Sequence, residues 1–379
     1  MINSKLPNVG TTIFTTMSKL AAETGAVNLG QGFPGFAMDK RLGKLVEKYI
    51  AMDFNQYAPM PGIIELRKVL SSKIGKLYGH TYDPDSEITI TAGGTQAIYT
   101  AITALVHEDD EVILFAPAYD CYAPAVELNG GKCVWLELSY PDYKVNWEHV
   151  KKVINHRTRM IVINSPHNPT GSCMSDEDMQ KLEKLIAGTD IILLSDEVYE
   201  HIIFDGAQHQ SIARFPKLAS QSLCVFSFGK TFHNTGWKMG YIGGPAELMA
   251  EFRKVHQFNV FSCNTPVQYA LAEYMEDENT YASLPAFYEK KRDFFIETIT
   301  GSRFSYVPSA GTYFQSLCYE GMFEEKDVEL AVRLTKEFGI ASIPCSVFYP
   351  DHLDEKVLRF CFAKEDETLE KAGAILRRI

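Results

Sequence analysis

The sequence lacks several patterns that would each mark a particular class of protein. Its eight cysteines form no C-x-x-C pair, and it has no H-E-x-x-H motif and no Walker loop, so metal or nucleotide chemistry is not indicated. No apolar run approaches ~20 residues, which argues against a transmembrane helix. The N-terminus has no basic stretch followed by an apolar segment, which argues against a secretory signal. We therefore expect a cytoplasmic protein with reduced cysteines, no bound metal and no membrane association.

Positive charge is also scarce. The chain has 37 basic and 48 acidic residues, which gives a formal net charge of -11. This balance disfavours sequence-independent binding to nucleic acids and to anionic membranes, because both need a basic surface. With 379 residues, of which 46% are hydrophobic and 22% are charged, the composition is that of a globular protein large enough for two domains.

Short apolar strands alternate with amphipathic stretches through the middle of the chain. Helical patterns such as 96–105 and Asp176–Ile186 separate most of these strands. Strands that are apolar on both faces, joined by helical crossovers, predict an α/β fold with a mostly parallel seven-stranded sheet between helices. The seven predicted strands are 87–91, 111–115, 133–136, 160–163, 191–194, 223–227 and 241–243.

The two ends of the chain have a different pattern. Apolar residues from Ile13 to Ala21 have helical spacing in the N-terminal arm. The C-terminal part predicts a long helix over 286–299, and it predicts strands over 304–307, 312–318 and 357–362. We therefore predict a large domain over residues 46–280 and a smaller α+β domain formed by residues 1–45 and 281–379.

Several polar side chains follow predicted strands of the middle region. Lys230 comes directly after one strand, with Lys238 shortly behind it. Asp196 and Tyr199 follow a second strand, and Asn168 follows a third. In open α/β sheets, ligands bind beyond the carboxyl ends of the strands. These side chains are therefore predicted to meet at one edge of the sheet.

Each of these residues also has a plain structural interpretation, since Lys230 could be a solvated turn lysine, Asp196 a helix N-cap and Asn168 a turn former. Pyridoxal phosphate, however, requires all of these residue types together. It needs an amine that holds its aldehyde as a Schiff base and a carboxylate against its pyridine nitrogen. It also needs hydrogen-bond donors to the ring phenolate and to the phosphate. Residues that match these four needs are Lys230, Asp196, Tyr199 with Asn168, and Ser227 with Lys238.

The segment Gly94-Thr95-Gln96 runs from a predicted strand into a helix. Glycines at such a turn expose backbone N–H groups, and the helix dipole favours an anion there. The phosphate of the cofactor is the candidate anion. Tyr119 would be a flat surface on which the pyridine ring could stack, although simple packing is the other interpretation.

Two further motifs concern the substrate. The segment from Gly30 to Gly35 fits G-x-G-x-x-G, but no βαβ unit surrounds it, so we do not predict dinucleotide binding. The close backbone approach that its Gly32 permits would suit a substrate carboxylate instead. Arg359 lies inside an apolar strand and needs a partner, either a buried acid of the protein or, through its bidentate fork, a substrate carboxylate.

Together these motifs resemble the class I pyridoxal-phosphate aminotransferases of fold type I, and the resemblance covers almost the whole chain from Lys5. Within this family the chain is most similar to the kynurenine and glutamine aminotransferase branch, and there to the bacterial methionine aminotransferases. The segments that carry this closer likeness are Ser4-Lys5-Leu6-Pro7, Gly10-Thr11-Thr12-Ile13-Phe14, Asn55-Gln56-Tyr57-Ala58-Pro59-Met60, Lys254-Val255-His256-Gln257 and Ser346-Val347-Phe348.

The resemblance implies a role for each candidate residue. Lys230 would form the Schiff base, Asp196 would contact the pyridine nitrogen, and Tyr199 and Asn168 would bond ring O3′. The phosphate would be bound by Ser227, Lys238 and Gly94-Thr95-Gln96. The substrate carboxylate would be bound by Arg359, Asn168 and the Gly32 backbone. It also implies a homodimer in which Tyr57 reaches the phosphate of the neighbouring subunit. Lys238 stands where the aspartate aminotransferases have an arginine, as it does in the kynurenine branch.

The resemblance predicts an aminotransferase that moves the amino group of methionine and other large neutral or aromatic amino acids, possibly including kynurenine or glutamine, to a 2-oxo acid. An apolar substrate pocket could come from Phe14, Phe33, Phe258, Phe261, Phe348 and Tyr349, each of which could instead be core packing. The same residues would also serve β-elimination on cysteine S-conjugates, which therefore stays open. A cofactor-binding regulator of transcription is a third interpretation, but the acidic composition argues against it.

Overall fold

The structure is a computed structural model that describes residues 3–7 and 9–379. Its strands are β1 (Val27–Asn28), β2 (Ile88–Thr91), β3 (Glu111–Ala116), β4 (Lys132–Glu137), β5 (Thr158–Asn164), β6 (Ile192–Asp196), β7 (Ser222–Ser227), β8 (Gly240–Gly243), β9 (Phe314–Cys318), β10 (Ile340–Ala341), β11 (Ile343–Pro344) and β12 (Val357–Cys361). Its α-helices are α1 (Ile13–Thr24), α2 (Lys40–Ala51), α3 (Ile64–Tyr78), α4 (Gly94–Leu105), α5 (Tyr122–Leu128), α6 (Trp147–Val153), α7 (Asp176–Ile186), α8 (Pro216–Ala219), α9 (Phe228–Thr231), α10 (Ala246–Asn259), α11 (Thr265–Tyr274), α12 (Asn279–Ala282), α13 (Leu284–Ile299), α14 (Asp327–Arg333) and α15 (Asp366–Leu376). Short 3-10 turns lie at Ile212–Arg214, Thr235–Trp237 and Cys345–Phe348, and a π-helix lies at Leu334–Phe338.

The seven predicted strands of the middle region form one sheet, in the order β2-β8-β7-β6-β5-β3-β4. Four of its six strand pairings are parallel. The exception is β8, which runs antiparallel to both β7 and β2. The predicted α/β fold with a mostly parallel seven-stranded sheet is therefore confirmed.

Both faces of this sheet are buried, because the side chains on each face of its strands are apolar and pack into hydrophobic clusters. Along β5, Met160 and Val162 pack into one hydrophobic cluster, while Ile161 and Ile163 pack into a larger one on the opposite face. Burial on both faces is what a parallel sheet between helices requires. Among the described residues, no helix is long and apolar enough to cross a membrane.

A second, smaller sheet is built from the C-terminal part of the chain. It is antiparallel, with the order β11-β12-β9. The N-terminal arm lies next to it, because β1 pairs in parallel with β10. In the connection that follows β1, the Leu29 carbonyl accepts from the Cys361 N–H, and the Gly35 N–H donates to the Ala363 carbonyl. The division into residues 46–280 and residues 1–45 with 281–379 stays a prediction.

One predicted strand is wrong and another is shorter than expected. Segment 304–307 forms only an isolated bridge between Ser305 and Cys318, since the side chain of Gln315 bonds the Val307 carbonyl and the Ser309 N–H in place of a neighbouring strand. Strand β9 begins at Phe314 instead of Thr312, because Thr312 has a φ of 63° that no extended strand accommodates.

Candidate active site

A cavity lies at the edge of the large sheet where the parallel strands end. Strands β5, β6 and β7 end at Asn164, Asp196 and Ser227, and Asn164 is the register partner of Asp196. Because neighbouring parallel strands end at the same edge, their terminal polar side chains converge. The residues that line the cavity are Gly93, Gly94, Thr95, Ile98, Tyr119, Asn164, Asn168, Asp196, Val198, Tyr199, Ser227, Gly229, Lys230, Thr235, Lys238 and Met239.

Asp196 is buried at this edge without a cationic partner among its hydrogen bonds. Its carboxylate accepts hydrogen bonds from the Tyr122 hydroxyl, at 2.6 Å, and from the Val198 N–H, at 3.3 Å. Burial raises the pKa of Asp196 to about 6, and the two hydrogen bonds only partly oppose this shift. The carboxylate is therefore placed to receive a cation from the cavity.

Lys230 lies in the short helix α9, directly after β7, and its half-buried side chain lines the cavity. The amine donates to the Gly32 carbonyl at 3.2 Å and to the Tyr313 hydroxyl at 2.9 Å. Burial lowers the pKa of Lys230 to about 8. A lysine with such a pKa has a substantial neutral fraction near neutral pH and can act as a nucleophile or a base.

Arg359 is joined to the same cavity through Asn168. Its Nη1 atom donates to the Asn168 side-chain oxygen at 2.7 Å, and its Nη2 atom donates to the Gly30 carbonyl at 3.2 Å. The Nε atom is buried and has no hydrogen-bond partner among the described residues. A fully buried guanidinium with spare donor capacity can bind a carboxylate that enters the site.

Aromatic rings surround the Arg359 guanidinium. Its carbon lies 3.9 Å from the ring centre of Phe314, 5.4 Å from that of Phe14 and 5.3 Å from that of Phe348. Gly32 allows the loop to approach this group, because a Cβ atom there would lie 2.8 Å from Phe314. The guanidinium is thus enclosed by aromatic rings.

At the other end of the cavity, the N-terminus of α4 and the Lys238 amine favour an anion. Helix α4 begins at Gly94 with no acidic residue in its first turn and no side-chain cap, so its first N–H groups are free for a ligand. Gly93 has a φ of 87°, and a Cβ atom there would lie 3.5 Å from the Lys238 amine. Lys238 itself has a φ of 53°, a conformation that is costly for a non-glycine residue and recurs at binding sites.

Most of the predicted site residues line this cavity, and Gly32 and Arg359 adjoin it through their hydrogen bonds to Lys230 and Asn168. The side chains of the other two, Gln96 and Tyr57, lie apart from it. The Gln96 side chain bonds the Ala92 N–H and faces His256, so that only its backbone belongs to the helix N-terminus. Tyr57 is 80% exposed, and its ring packs edge-on against Phe261. Tyr119 lines the cavity, with its hydroxyl 3.3 Å from Thr95 Oγ1.

The predicted aromatic pocket is only partly present. Phe14 and Phe348 contact Arg359, whereas Tyr349 is buried with its hydroxyl bonded to the Leu138 carbonyl and to Glu355. Phe33 is partly exposed beneath the Lys364 amine.

Four residues of the site do not follow from the predicted motifs. Asn164 bonds the Asp196 carbonyl and the Asn168 N–H at 2.8 Å each, and its position at the end of a buried strand was the available signal. Tyr122 lies on the helix that follows Tyr119, but nothing in its spacing indicates a bond to Asp196. Tyr313 and Phe314 come from a distant part of the chain and carry no motif.

Comparison with known proteins places this geometry in a family. Residues 24–376 match the family model described as aminotransferase class I and II. The chain is 46% identical to the methionine aminotransferase of Escherichia coli over 99% of its own length and 98% of the relative's. It is 34% identical to the human kynurenine–oxoglutarate transaminase 1, over 95% and 94% of the two chains. A crystal structure of an E. coli protein with a methionine aminotransferase function superimposes with a TM-score of 0.98 at 46% identity, covering 100% of both chains.

Proposed function

The chain belongs to the class I and II aminotransferases, and we propose that it transfers the amino group of methionine and of other large neutral or aromatic amino acids. It is an aminotransferase of fold type I that uses pyridoxal phosphate, with amino acids and 2-oxo acids as substrates. The observation that carries the proposal is the convergence of the Lys230 amine, the Asp196 carboxylate and the α4 N-terminus on one cavity.

The residues around the cavity fit the cofactor at both of its ends. The free N–H groups of α4 with Ser227 and Lys238 suit a phosphate. The buried Asp196 carboxylate, whose pKa burial raises to about 6, suits a protonated pyridine nitrogen, because a cation beside it removes the unfavourable burial of a lone charge. Tyr119 would stack on the ring, and Tyr199 with Asn168 would donate to its phenolate oxygen O3′.

The bound cofactor supplies an electron-withdrawing ring that accepts the electron pair left when the amino acid loses its Cα proton. Asp196 would keep the ring nitrogen protonated. The Lys230 amine would hold the cofactor aldehyde and then, once the substrate has displaced it, take the proton from Cα and return it. Its lowered pKa, to about 8, supports this use as a base.

The substrate carboxylate would bind Arg359, with Asn168 and the Gly32 backbone beside it. The rings of Phe14, Phe314 and Phe348 leave an apolar environment around this anchor. Sulfur and aromatic side chains both pack favourably against such rings. This chemistry agrees with the name of the 46% identical relative and supports methionine as a donor.

We further propose a homodimer in which Tyr57 completes the phosphate site of the partner. Tyr57 and Phe258 are 80% and 92% exposed in the single chain, and Phe261 packs on Tyr57. Large aromatic side chains exposed together mark interaction surfaces. A cytoplasmic location is proposed because all eight cysteines are free thiols.

The test is a set of half-reactions with single amino acids. Purified enzyme is mixed with methionine, phenylalanine, kynurenine, glutamine or aspartate, and the loss of the absorbance of the lysine-bound cofactor is followed. We expect methionine and the aromatic amino acids to react about 100-fold faster than aspartate, since the rings of Phe14, Phe314 and Phe348 around Arg359 favour an apolar side chain over a carboxylate. Fast conversion by aspartate would contradict the proposed substrate class. Pyruvate and ammonia from a cysteine S-conjugate without an oxo acid would instead indicate β-elimination.

A further inference from the structure

Tyr313 is a tyrosine whose hydroxyl contacts the Lys230 amine. It is 0% exposed and lies immediately before β9 in the smaller sheet, whereas Lys230 follows β7 of the large sheet. Its ring packs edge-on against Tyr199, with 5.1 Å between the ring centres. The contact between the Tyr313 hydroxyl and the Lys230 amine, at 2.9 Å, therefore joins the two sheets at the cavity.

The directions of the hydrogen bonds around this hydroxyl are fixed by the backbone. The Gly32 carbonyl can only accept, so the Tyr313 hydroxyl must donate to it, at 2.6 Å. The hydroxyl oxygen then has only lone pairs to present to Lys230, and the lysine must donate to it. Lys230 also donates to the Gly32 carbonyl, at 3.2 Å.

A neutral lysine amine has two N–H bonds and one lone pair. We propose that Tyr313 is a positioning residue that, with the Gly32 carbonyl, occupies both N–H groups of the freed Lys230 amine and so directs its lone pair at the substrate Cα. In that step the Cα–H bond breaks, an N–H bond forms at Nζ, and the electron pair stays with the substrate and the ring that it is attached to. The proposal rests on the proposed role of Lys230 and deepens it.

A second tyrosine in the same cluster provides a matched control. Tyr288 is also 0% exposed, and its ring centre lies 5.9 Å from that of Tyr313. Its hydroxyl has no hydrogen-bond partner among the described residues. Removal of either hydroxyl changes the same cluster by one oxygen atom, but only the Tyr313 hydroxyl contacts Lys230.

The kinetic test compares Tyr313→Phe with Tyr288→Phe in the methionine half-reaction. We expect Tyr313→Phe to lower the maximal rate about 10- to 100-fold with little change in the methionine concentration at half-saturation, because the base is held less well while binding groups are intact. With Cα-deuterated methionine, the isotope effect should rise above the wild-type value. Tyr288→Phe should match the wild type in the rate and in the isotope effect.

A second readout needs no cofactor and no turnover. In cofactor-free protein, the pH dependence of Lys230 acetylation by limiting acetic anhydride, measured by mass spectrometry of its peptide, gives the pKa of the amine. Loss of a hydrogen bond that favours the charged form should lower this pKa by about one unit in Tyr313→Phe. The charged and titratable groups that act on Lys230 are Cys361, Arg359, Lys238 and Asp196, and both variants leave them unchanged.

The outcomes separate this proposal from the proposed function. Equal rates, isotope effects and Lys230 pKa values in Tyr313→Phe and Tyr288→Phe, with a wild type that converts methionine, would overturn the role of Tyr313 alone. A wild type without a lysine-bound cofactor band would overturn the function itself. If Tyr313→Phe does not fold, Tyr313→Met fills the same space without a hydroxyl and is put through the same assays.

Discussion

The segment from Asp196 to Glu200 carries three buried carboxylates, and two of them, Asp196 and Glu200, have opposite surroundings. Glu200 contacts the Lys73 amine at 2.5 Å and also accepts from the hydroxyls of Tyr78 and Tyr241. Burial alone would raise the pKa of Glu200, but Lys73, His201 and these hydrogen bonds lower it to about 2. Asp196 has only the Tyr122 hydroxyl and one N–H group, and its pKa is raised to about 6.

Lys73, which pairs with Glu200, and Lys230, which lines the same cavity as Asp196, differ in the same way. The Lys73 amine has an ionised partner, which opposes the lowering of its pKa by burial. The Lys230 amine has two neutral oxygen partners and faces a cavity. Removing one partner of a buried ion pair leaves a costly lone charge, whereas a buried charge that already lacks a countercharge indicates a site that a ligand completes.

The largest expected effect is the loss of activity when Lys230 is removed. Lys230→Ala should lower turnover by a factor of about 10,000 or more, because it removes both the covalent attachment and the base. Its unfolding free energy should change by less than about 1 kcal/mol, since the removal of Lys230 leaves no charged partner without a counterion. Steady-state transamination and urea unfolding measure the two quantities. Substantial turnover by this variant would remove Lys230 from the mechanism.

The second prediction concerns the paired carboxylate. Glu200→Gln should lower the unfolding free energy by about 3–5 kcal/mol, because it leaves the buried Lys73 without its counterion. The native pKa of Glu200 is below its ordinary value of 4.5, so the stability that Glu200 contributes is present above pH 4.5 and is lost as the pH falls towards 2. The difference between wild type and variant should shrink over that range.

The control for this prediction is Glu251→Gln, which breaks the exposed pair between Glu251 and Lys254. It should change the unfolding free energy by less than about 0.5 kcal/mol. A Glu200 variant no less stable than this control would mean that the buried pair does not stabilise the fold.

The third prediction is a change in stability of the opposite sign. Asp196→Asn should stabilise the cofactor-free protein by about 1–3 kcal/mol at pH 8, because it removes a lone buried charge. The native pKa of Asp196 is above its ordinary value of 3.8, so its ionisation costs stability progressively between pH 3.8 and about 6, and the gain should vanish below pH 4. Thermal unfolding of cofactor-free protein at both pH values measures this. Destabilisation at pH 8 would show that the carboxylate is already paired.

The central sheet could be predicted because its strands are apolar on both faces and are separated by amphipathic helices. The predicted strand 241–243 needed only one more residue at its start, and helix α7 has the predicted bounds. The strand prediction from apolar residues failed at 304–307, where the Gln315 side chain takes the hydrogen bond that a neighbouring strand would otherwise make. No local signal in the sequence reports such a replacement.

The residues of the candidate site also differ in whether the sequence could predict their positions. Asp196 ends β6 and Lys230 follows β7, so the topology of the sheet brings them together and their positions could be predicted. Tyr313 reaches the site through packing of the smaller sheet, which depends on contacts between residues far apart in the chain. Its neighbours Gly311 and Thr312 carry no recognisable pattern, and only the folded structure reveals the contact.

The most direct test is to find which lysine carries the cofactor. The enzyme loaded with pyridoxal phosphate is reduced with sodium borohydride and digested, and the peptides are analysed by mass spectrometry. We expect the phosphopyridoxyl mass on Lys230 and an unmodified Lys73. The same mass on Lys73 or on another lysine, or no modified peptide at all, would contradict it.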